Sequence, residues 1–228
     1  MIKIENLKFA PGYVENDVLN LVSKTLKCKL ADIESYVILK KSIDARKKPD
    51  VKIVLTLAVK LKHKNHIAGF EDITPNFSGL EFENISNTLP TNFLRPVVVG
   101  FGPAGMFCAL SLAYMGLKPI VVEQGKCVED RTKDVLTFWE TGKINPFSNV
   151  QFGEGGAGTF SDGKLNTNLN NTYCKKVINE FVLMGAPKEI AYVNKPHIGS
   201  DNLKTVVKNI RQKIIELGGT VLFNTQFV

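Results

Sequence analysis

The chain has 228 residues, enough for one large domain or two modest ones. Its 44% apolar and 22% charged residues are typical of a soluble globular protein and argue against disorder. The net charge of +7 permits contact with nucleic acid or lipid, but the lysines are spread along the chain, which favours a solvated surface. The charged N-terminus does not resemble a signal peptide, and no Cys-x-x-Cys pair occurs, so we expect a cytoplasmic protein.

Residues 1–88 are predicted to form a small basic α+β domain, followed by a linker at 89–95. Alternation of apolar and polar residues predicts a strand over 2–9, and apolar residues at helical spacing predict a helix over 15–26. Two more strands are predicted over 35–39 and 51–59. This βαββ order is compatible with a ferredoxin-like layer. The polar segment between the last two strands carries a basic cluster: Lys40, Lys41, Arg46, Lys47 and Lys48.

Residues 96–228 are predicted to form an α/β domain with a parallel sheet. Strands are expected at 96–99, 119–122 and 220–228, with helices at 104–115, 131–141, 172–184 and 201–217, the last capped by Asp201. Residues 96–122 are apolar enough to span a membrane. Their glycines and prolines instead favour strand, tight turn, helix and strand.

The first motif is G-x-G-x-x-G at Gly100, Gly102 and Gly105, directly after a strand and opening a helix. In that context the first glycine permits a tight turn, the second lets the backbone approach a pyrophosphate, and the third lets helix and strand pack closely. The N–H groups of the first helical turn, which contains Pro103 and Ala104, would face the phosphates. We call residues 100–105 the glycine turn.

Glu123 is the second element, because it ends the next predicted strand, 18 residues after Gly105. An acid at that place accepts hydrogen bonds from ribose hydroxyls and repels a 2′-phosphate, which disfavours NADP at this site. The alternative is a glycine-tight turn beside a surface glutamate without a ligand.

A second glycine-rich segment, residues 153–164, is called the Gly-rich loop below. Successive backbone N–H groups in such turns bind anions, and hydroxyl and ammonium donors add to them. The alternative is a flexible surface loop. The predicted binding residues here are Gly155, Gly156, Gly158, Thr159, Ser161 and Lys164.

With these motifs, residues 96–166 and 194–201 resemble bacterial FAD-dependent dehydrogenases of the glutathione-reductase-like superfamily, and the resemblance extends into the N-terminal region. It implies a Rossmann-like FAD-binding domain. The glycine turn would bind the pyrophosphate, Glu123 the adenosine ribose, and the Gly-rich loop the flavin end. Phe227 would offer backbone to the adenine. NAD(P)H as electron donor and an unidentified small-molecule substrate are further implications.

The proteins that this chain resembles are longer, with a substrate-facing segment and a final turn at the flavin. We therefore expect a truncated chain that is not a complete catalyst and that associates through the surface left uncovered. His197 is a weak catalytic candidate. His63 and His66 have no third ligand nearby, so no metal site is predicted.

Two other functions stay open. The chain could be a non-catalytic module that binds a nucleotide, or a polyanion through the basic cluster. Nucleic acid is disfavoured because no aromatic platform for base stacking adjoins that cluster. An NAD-only dehydrogenase is the third possibility, against which the Gly-rich loop argues.

Overall fold

The computed structural model describes residues 1–63, 66–75, 81–167, 169 and 171–228. The chain divides into two compact units. The first comprises Met1–Phe77 together with Glu189–Pro196, and the second comprises Ser78–Lys188 together with His197–Val228. In the described part of the chain, no helix combines the length and apolarity needed to cross a membrane.

The first unit is an antiparallel sheet with one helix. Its elements are β1 (Ile2–Phe9), α1 (Glu15–Leu26), β2 (Ile33–Asp44), β3 (Lys52–Leu61) and β4 (Glu71–Asp72). The strand order is β2-β3-β1-β4, and neighbouring strands are antiparallel. Strand β3 therefore lies between β1 and β2, which run in the same direction. The buried face of α1 presents Val18, Val22 and Leu26 to the core.

Strand β2 is longer than predicted. It continues past Lys40 and Lys41 of the basic cluster to Asp44, because its antiparallel pairing with β3 extends as far as Lys52. The segment Glu189–Pro196 then covers this strand. The Lys41 N–H donates to the Tyr192 carbonyl at 2.7 Å, and the Asn194 N–H donates to the Lys41 carbonyl at 3.0 Å. No periodicity in the sequence indicated that pairing.

The second unit is built on a three-stranded parallel sheet with order β5-β6-β7. The bounds of all four helices differ from the predicted bounds by one to three residues, and the last strand is shorter than predicted. The elements are β5 (Val97–Val99), α2 (Pro103–Tyr114), β6 (Ile120–Val122), α3 (Val128–Thr141), α4 (Thr172–Leu183), α5 (Ser200–Glu216) and β7 (Thr220–Leu222). The apolar stretch at 96–122 is thus strand, helix and strand.

One face of the parallel sheet is buried and the other is not. Val98 and Val121 are partners in register and are 8% and 0% exposed, on the face against which α2 packs. On the opposite face, Val97 and Val99 are 56% and 58% exposed. The chain is therefore mixed α/β, with a small parallel sheet and a separate antiparallel one.

The start of α5 differs from the prediction that Asp201 caps it. The N-cap is Gly199, whose φ of +84° is one that glycine adopts without strain. Asp201 lies inside the first turn, where its carboxylate still interacts favourably with the positive end of the helix dipole.

Candidate functional site

The glycine turn connects β5 to α2 and requires glycine at two of its three positions. Gly100 has φ of +86°, a conformation that L-residues rarely adopt. A Cβ on Gly105 would lie 2.0 Å from the Gly100 carbonyl oxygen. The start of the helix therefore approaches the end of the strand too closely for any side chain at this position. A Cβ on Gly102 would meet only the Gly156 Cα, at 3.9 Å. The space above Gly102 is therefore open.

Helix α2 begins at Pro103, with Gly102 as its N-cap. Proline is favoured at this position because the first N–H groups of a helix have no intrahelical partner. The N–H groups of Ala104 and Gly105 are such groups. Together with the positive end of the helix dipole, they favour an anion at this end of α2.

The Gly-rich loop packs directly on the glycine turn. The Gly155 N–H donates to the Phe101 carbonyl at 2.8 Å. A Cβ on Gly156 would lie 2.9 Å from the Pro103 Cδ. The two glycine-rich segments, far apart in sequence, thus form one continuous backbone surface.

A cleft of about 340 Å³ opens at the carboxyl ends of β5 and β6. In open parallel sheets, ligands bind outside these strand ends. Five of the predicted site residues line it: Gly100, Gly102, Glu123, Gly156 and Phe227. The other lining residues are Val99, Val122, Gln124, Gln151, Phe152, Gly153, Thr225 and Gln226.

Glu123 lines the cleft at the end of β6 and also holds the glycine turn. Its side chain accepts hydrogen bonds from the Phe101 N–H at 2.7 Å and from the Gly125 N–H at 2.8 Å. The residue is 5% exposed. Each carboxylate oxygen can accept more than one hydrogen bond. Glu123 can therefore brace the turn and still accept from a ligand hydroxyl.

The middle of the Gly-rich loop does not line the cleft. Thr159 is buried, and its hydroxyl oxygen lies 2.1 Å from where a Cβ on Gly155 would be. The Ser161 hydroxyl donates to the Gly158 carbonyl at 2.7 Å. Both predicted hydroxyl donors are thus turned toward the protein's own backbone.

The end of the loop also lies outside the cleft lining. The Lys164 ammonium pairs with the Asp162 carboxylate at 2.6 Å, and an isolated β-bridge joins Lys164 to His197. The Ile198 N–H donates to the Gly163 carbonyl at 2.9 Å. His197 is exposed at this bridge. The structure thus brings His197 to the loop but not to the cleft.

A buried arginine behind the cleft was missed by the sequence reasoning. Arg131 of α3 is 0% exposed and donates to the carbonyls of Asn149, Glu154 and Gly156 at 2.8, 2.6 and 2.8 Å. Burial lowers its pKa to about 10, although Glu123 and Glu154 attract the charge. The signal was its position three residues after Val128, on the buried face of an amphipathic helix.

A buried carboxyl group was missed too. The Glu154 side chain accepts a hydrogen bond from the Val128 N–H at 2.7 Å, and the same oxygen lies 3.3 Å from Nη1 of Arg211. Burial raises the pKa of Glu154 to about 7, against the opposing effects of the Val128 N–H and Arg211. Arg211 also pairs with Glu129 at 2.7 Å.

Comparison with known proteins identifies a domain family and a similar protein. The model of a domain of unknown function, DUF8436, matches residues 1–60. An uncharacterised protein of Clostridium beijerinckii is 46% identical over 227 residues, which are 99% of this chain and 43% of that protein. The chain therefore spans less than half the length of this curated relative.

Proposed function

We propose that the cleft binds the ADP part of FAD and that the chain is the cofactor-binding portion of a flavin-dependent oxidoreductase with a Rossmann-like fold. One observation carries the proposal. Gly102, which is the N-cap of α2 and has open space above it, and Glu123 line one cleft at the ends of parallel strands.

The residues present fit the group in position and in charge. The pyrophosphate would lie over Gly102 and the first N–H groups of α2, where no side chain intervenes. The ribose hydroxyls would donate to Glu123, and the base would lie beside Phe227, which is 68% exposed. The cleft is at the small end of the roughly 300–1,000 Å³ range of ligand sites, which suits the ADP part better than a whole dinucleotide.

FAD, when bound, supplies the hydride chemistry of such enzymes. This chain's own residues would bind and orient it: backbone N–H groups neutralise the phosphates and Glu123 selects an unphosphorylated ribose. No residue in the cleft lining is proposed as catalytic, and the place of His197 outside it leaves that candidate without support.

The polyanion alternative draws little support from the basic cluster. The Arg46 guanidinium pairs with Asp44 through Nε and Nη2, both at 2.8 Å. Next to the cluster, Lys52 pairs with Asp50 at 2.6 Å. These carboxylates offset part of the positive charge that a polyanion would need. The nucleotide cleft is the better-supported site.

The test is a titration of the purified chain with FAD and with ADP, comparing wild type with Gly102→Ala. The added methyl group would occupy the open space where the backbone meets the phosphates. We expect at least about tenfold weaker binding of both ligands, equivalent to about 1.4 kcal/mol.

Gly158→Ala is the matched control, because it adds the same methyl group to the Gly-rich loop outside the cleft lining. A Cβ there meets nothing within 4 Å, and no positive φ is required. This variant should bind ADP as wild type does. Absence of ADP and FAD binding by the wild-type chain would overturn the proposal. Tight NAD⁺ binding without FAD binding would favour the NAD-only alternative.

A further inference from the structure

We propose that Arg131 is a positioning residue that fixes the orientation of the Gly-rich loop at the cleft without touching the ligand. The inference rests on the proposed function, because the orientation of the loop matters to binding only if an anionic group enters the cleft. Arg131 is absent from the cleft lining, which lies wholly within the described residues.

The guanidinium of Arg131 donates to backbone carbonyls of the Gly-rich loop and to that of Asn149, which precedes the loop. Nε donates to Asn149, while Nη1 donates to Glu154 and Gly156 and lies 3.4 Å from the Gly153 carbonyl oxygen. Arginine is suited to this task because its planar donors are fixed in direction and stay charged at neutral pH.

Each carbonyl that turns toward Arg131 turns an N–H the other way, because the two are opposed across a planar trans peptide. The Glu154 carbonyl belongs to the same peptide as the Gly155 N–H, and that N–H donates to the Phe101 carbonyl inside the glycine turn. Arg131 thus holds the loop against the turn through one peptide group.

The next inward carbonyl orients an N–H for which the described part of the chain shows no hydrogen-bond partner. The Gly156 carbonyl accepts from Arg131 at 2.8 Å, so the Ala157 N–H of the same peptide points away from the guanidinium. Ala157 opens a short 3₁₀ turn, in which the first N–H has no internal partner. Gly156 itself lines the cleft.

The side chain of Arg131 is closely packed. A Cβ on Gly153 would lie 2.5 Å from the Arg131 Cδ. On the other side, the guanidinium carbon lies 4.8 Å from the centre of the Phe160 ring. Nη2 is buried and has no hydrogen-bond partner in the described part of the chain. The Arg131 side chain thus lies against Gly153 and the Phe160 ring while it reaches three carbonyls.

The charge of Arg131 supports the same role. Glu123 and Glu154 both attract it, and Glu123 lines the cleft. A buried positive charge behind the loop favours an anion in front of it, because the protein interior screens charges weakly. Carbonyl oxygens, which would repel a phosphate, are held on the far side.

The experiment compares Arg131→Met and Arg131→Lys with wild type, using ADP and adenosine as probes. Loss of the oriented loop should weaken ADP binding about tenfold while leaving adenosine binding unchanged, because adenosine lacks the phosphates that the loop would meet. The ADP affinity of Arg131→Lys should lie between those of wild type and Arg131→Met, since lysine keeps the positive charge but lacks the planar set of donors. A merely structural role would weaken both ligands equally.

Arg95→Met is the matched control. Arg95 also donates to backbone carbonyls of the second unit, at Lys118 and Pro119, but outside the Gly-rich loop. The Arg95→Met variant loses the same positive charge as Arg131→Met, and its ratio of ADP affinity to adenosine affinity should equal that of wild type. An altered ratio in this variant would mean that net charge is the cause and would overturn the inference.

Hydrogen exchange of the wild-type chain provides a second test that does not depend on how the variants fold. ADP, but not adenosine, should slow exchange of the Ala157 amide. Unchanged exchange, or an unchanged affinity ratio in a folded Arg131→Met, would overturn the inference. If Gly102→Ala still weakens ADP binding at least about tenfold in that case, the proposed function stands. If wild type binds neither ADP nor FAD, the proposed function itself fails.

Discussion

The Glu154 carboxyl group accepts a hydrogen bond from the Val128 N–H at 2.7 Å and thereby ties the Gly-rich loop to the first turn of α3. The same oxygen faces Arg211 of α5. A single side chain from a loop thus links two helices of the second unit. Because this carboxyl is completely buried, its ionisation affects the stability of the unit.

The raised pKa of Glu154 predicts a stability that falls as pH rises through a defined window. The usual value is 4.5 and burial raises it to about 7, so between these values the native chain keeps a proton that the unfolded chain has lost. The free energy of unfolding therefore decreases across the window, by on the order of 3 kcal/mol in total. Urea unfolding at pH 5, 6 and 7 measures this slope.

Glu154→Gln should flatten that slope, because the amide cannot ionise. Glu140→Gln is the control, since Glu140 is an exposed glutamate of α3, and it should retain the wild-type slope. Glu129 does not contribute to the slope between pH 5 and 7. Burial acts to raise its pKa, but Arg211 holds the pKa at about 2, below the window. A wild-type slope in Glu154→Gln would show that another group is responsible.

Two alanine substitutions in the glycine turn should lower the free energy of unfolding by different amounts. Gly105→Ala places a Cβ 2.0 Å from a backbone oxygen that cannot move aside, and should lower the free energy of unfolding by about 2 kcal/mol or more. Gly102→Ala meets no atom closer than 3.9 Å, and the poorer N-cap should cost only about 1 kcal/mol or less. Chemical denaturation without ligand measures both. Equal destabilisation would contradict the geometry of the turn.

The features that followed from the sequence are those that local rules determine. Helical spacing predicted α1 with its observed bounds, and the glycine spacing predicted the turn before α2. The last strand was predicted to reach Val228 but ends at Leu222. After it, the Thr225 N–H donates to the Glu123 carbonyl, a long-range bond that no local pattern encodes.

The interior of the candidate site could not be predicted because it depends on contacts between distant segments. Polar side chains of the loop were expected to face a ligand, yet Thr159 packs inward against Gly155. Conversely, Arg131 and Glu154 are charged residues that a composition rule places at the surface. They are buried because each forms hydrogen bonds with the backbone of a distant segment: Glu154 with the Val128 N–H of α3, and Arg131 with the Glu154 carbonyl of the Gly-rich loop.

The Glu123 carboxylate predicts selection against a 2′-phosphate. Wild type should bind AMP at least about tenfold more tightly than adenosine 2′,5′-bisphosphate, which differs from AMP only by the 2′-phosphate. Glu123→Gln should narrow that difference in affinity because the negative charge is removed. The variant should also lose about 1–3 kcal/mol of stability, since an amide donor would face the Phe101 or Gly125 N–H. Binding is therefore measured well below the unfolding temperature. Glu140→Gln should show neither effect, and equal affinities in wild type would refute the role of the charge.

The uncovered face of the parallel sheet predicts that the purified chain associates with itself. Val97, Val99 and Leu222 lie on this face and are 56%, 58% and 42% exposed, and contiguous apolar surface of this kind is uncommon on monomers. Light scattering after size-exclusion chromatography should show a mass that increases with concentration. Val97→Lys should reduce the association, whereas Ile43→Lys, at a 70% exposed position of β2, should not. A monomeric wild-type chain at all concentrations would contradict the prediction, and an equal effect of both substitutions would assign the association to general hydrophobicity rather than to this face.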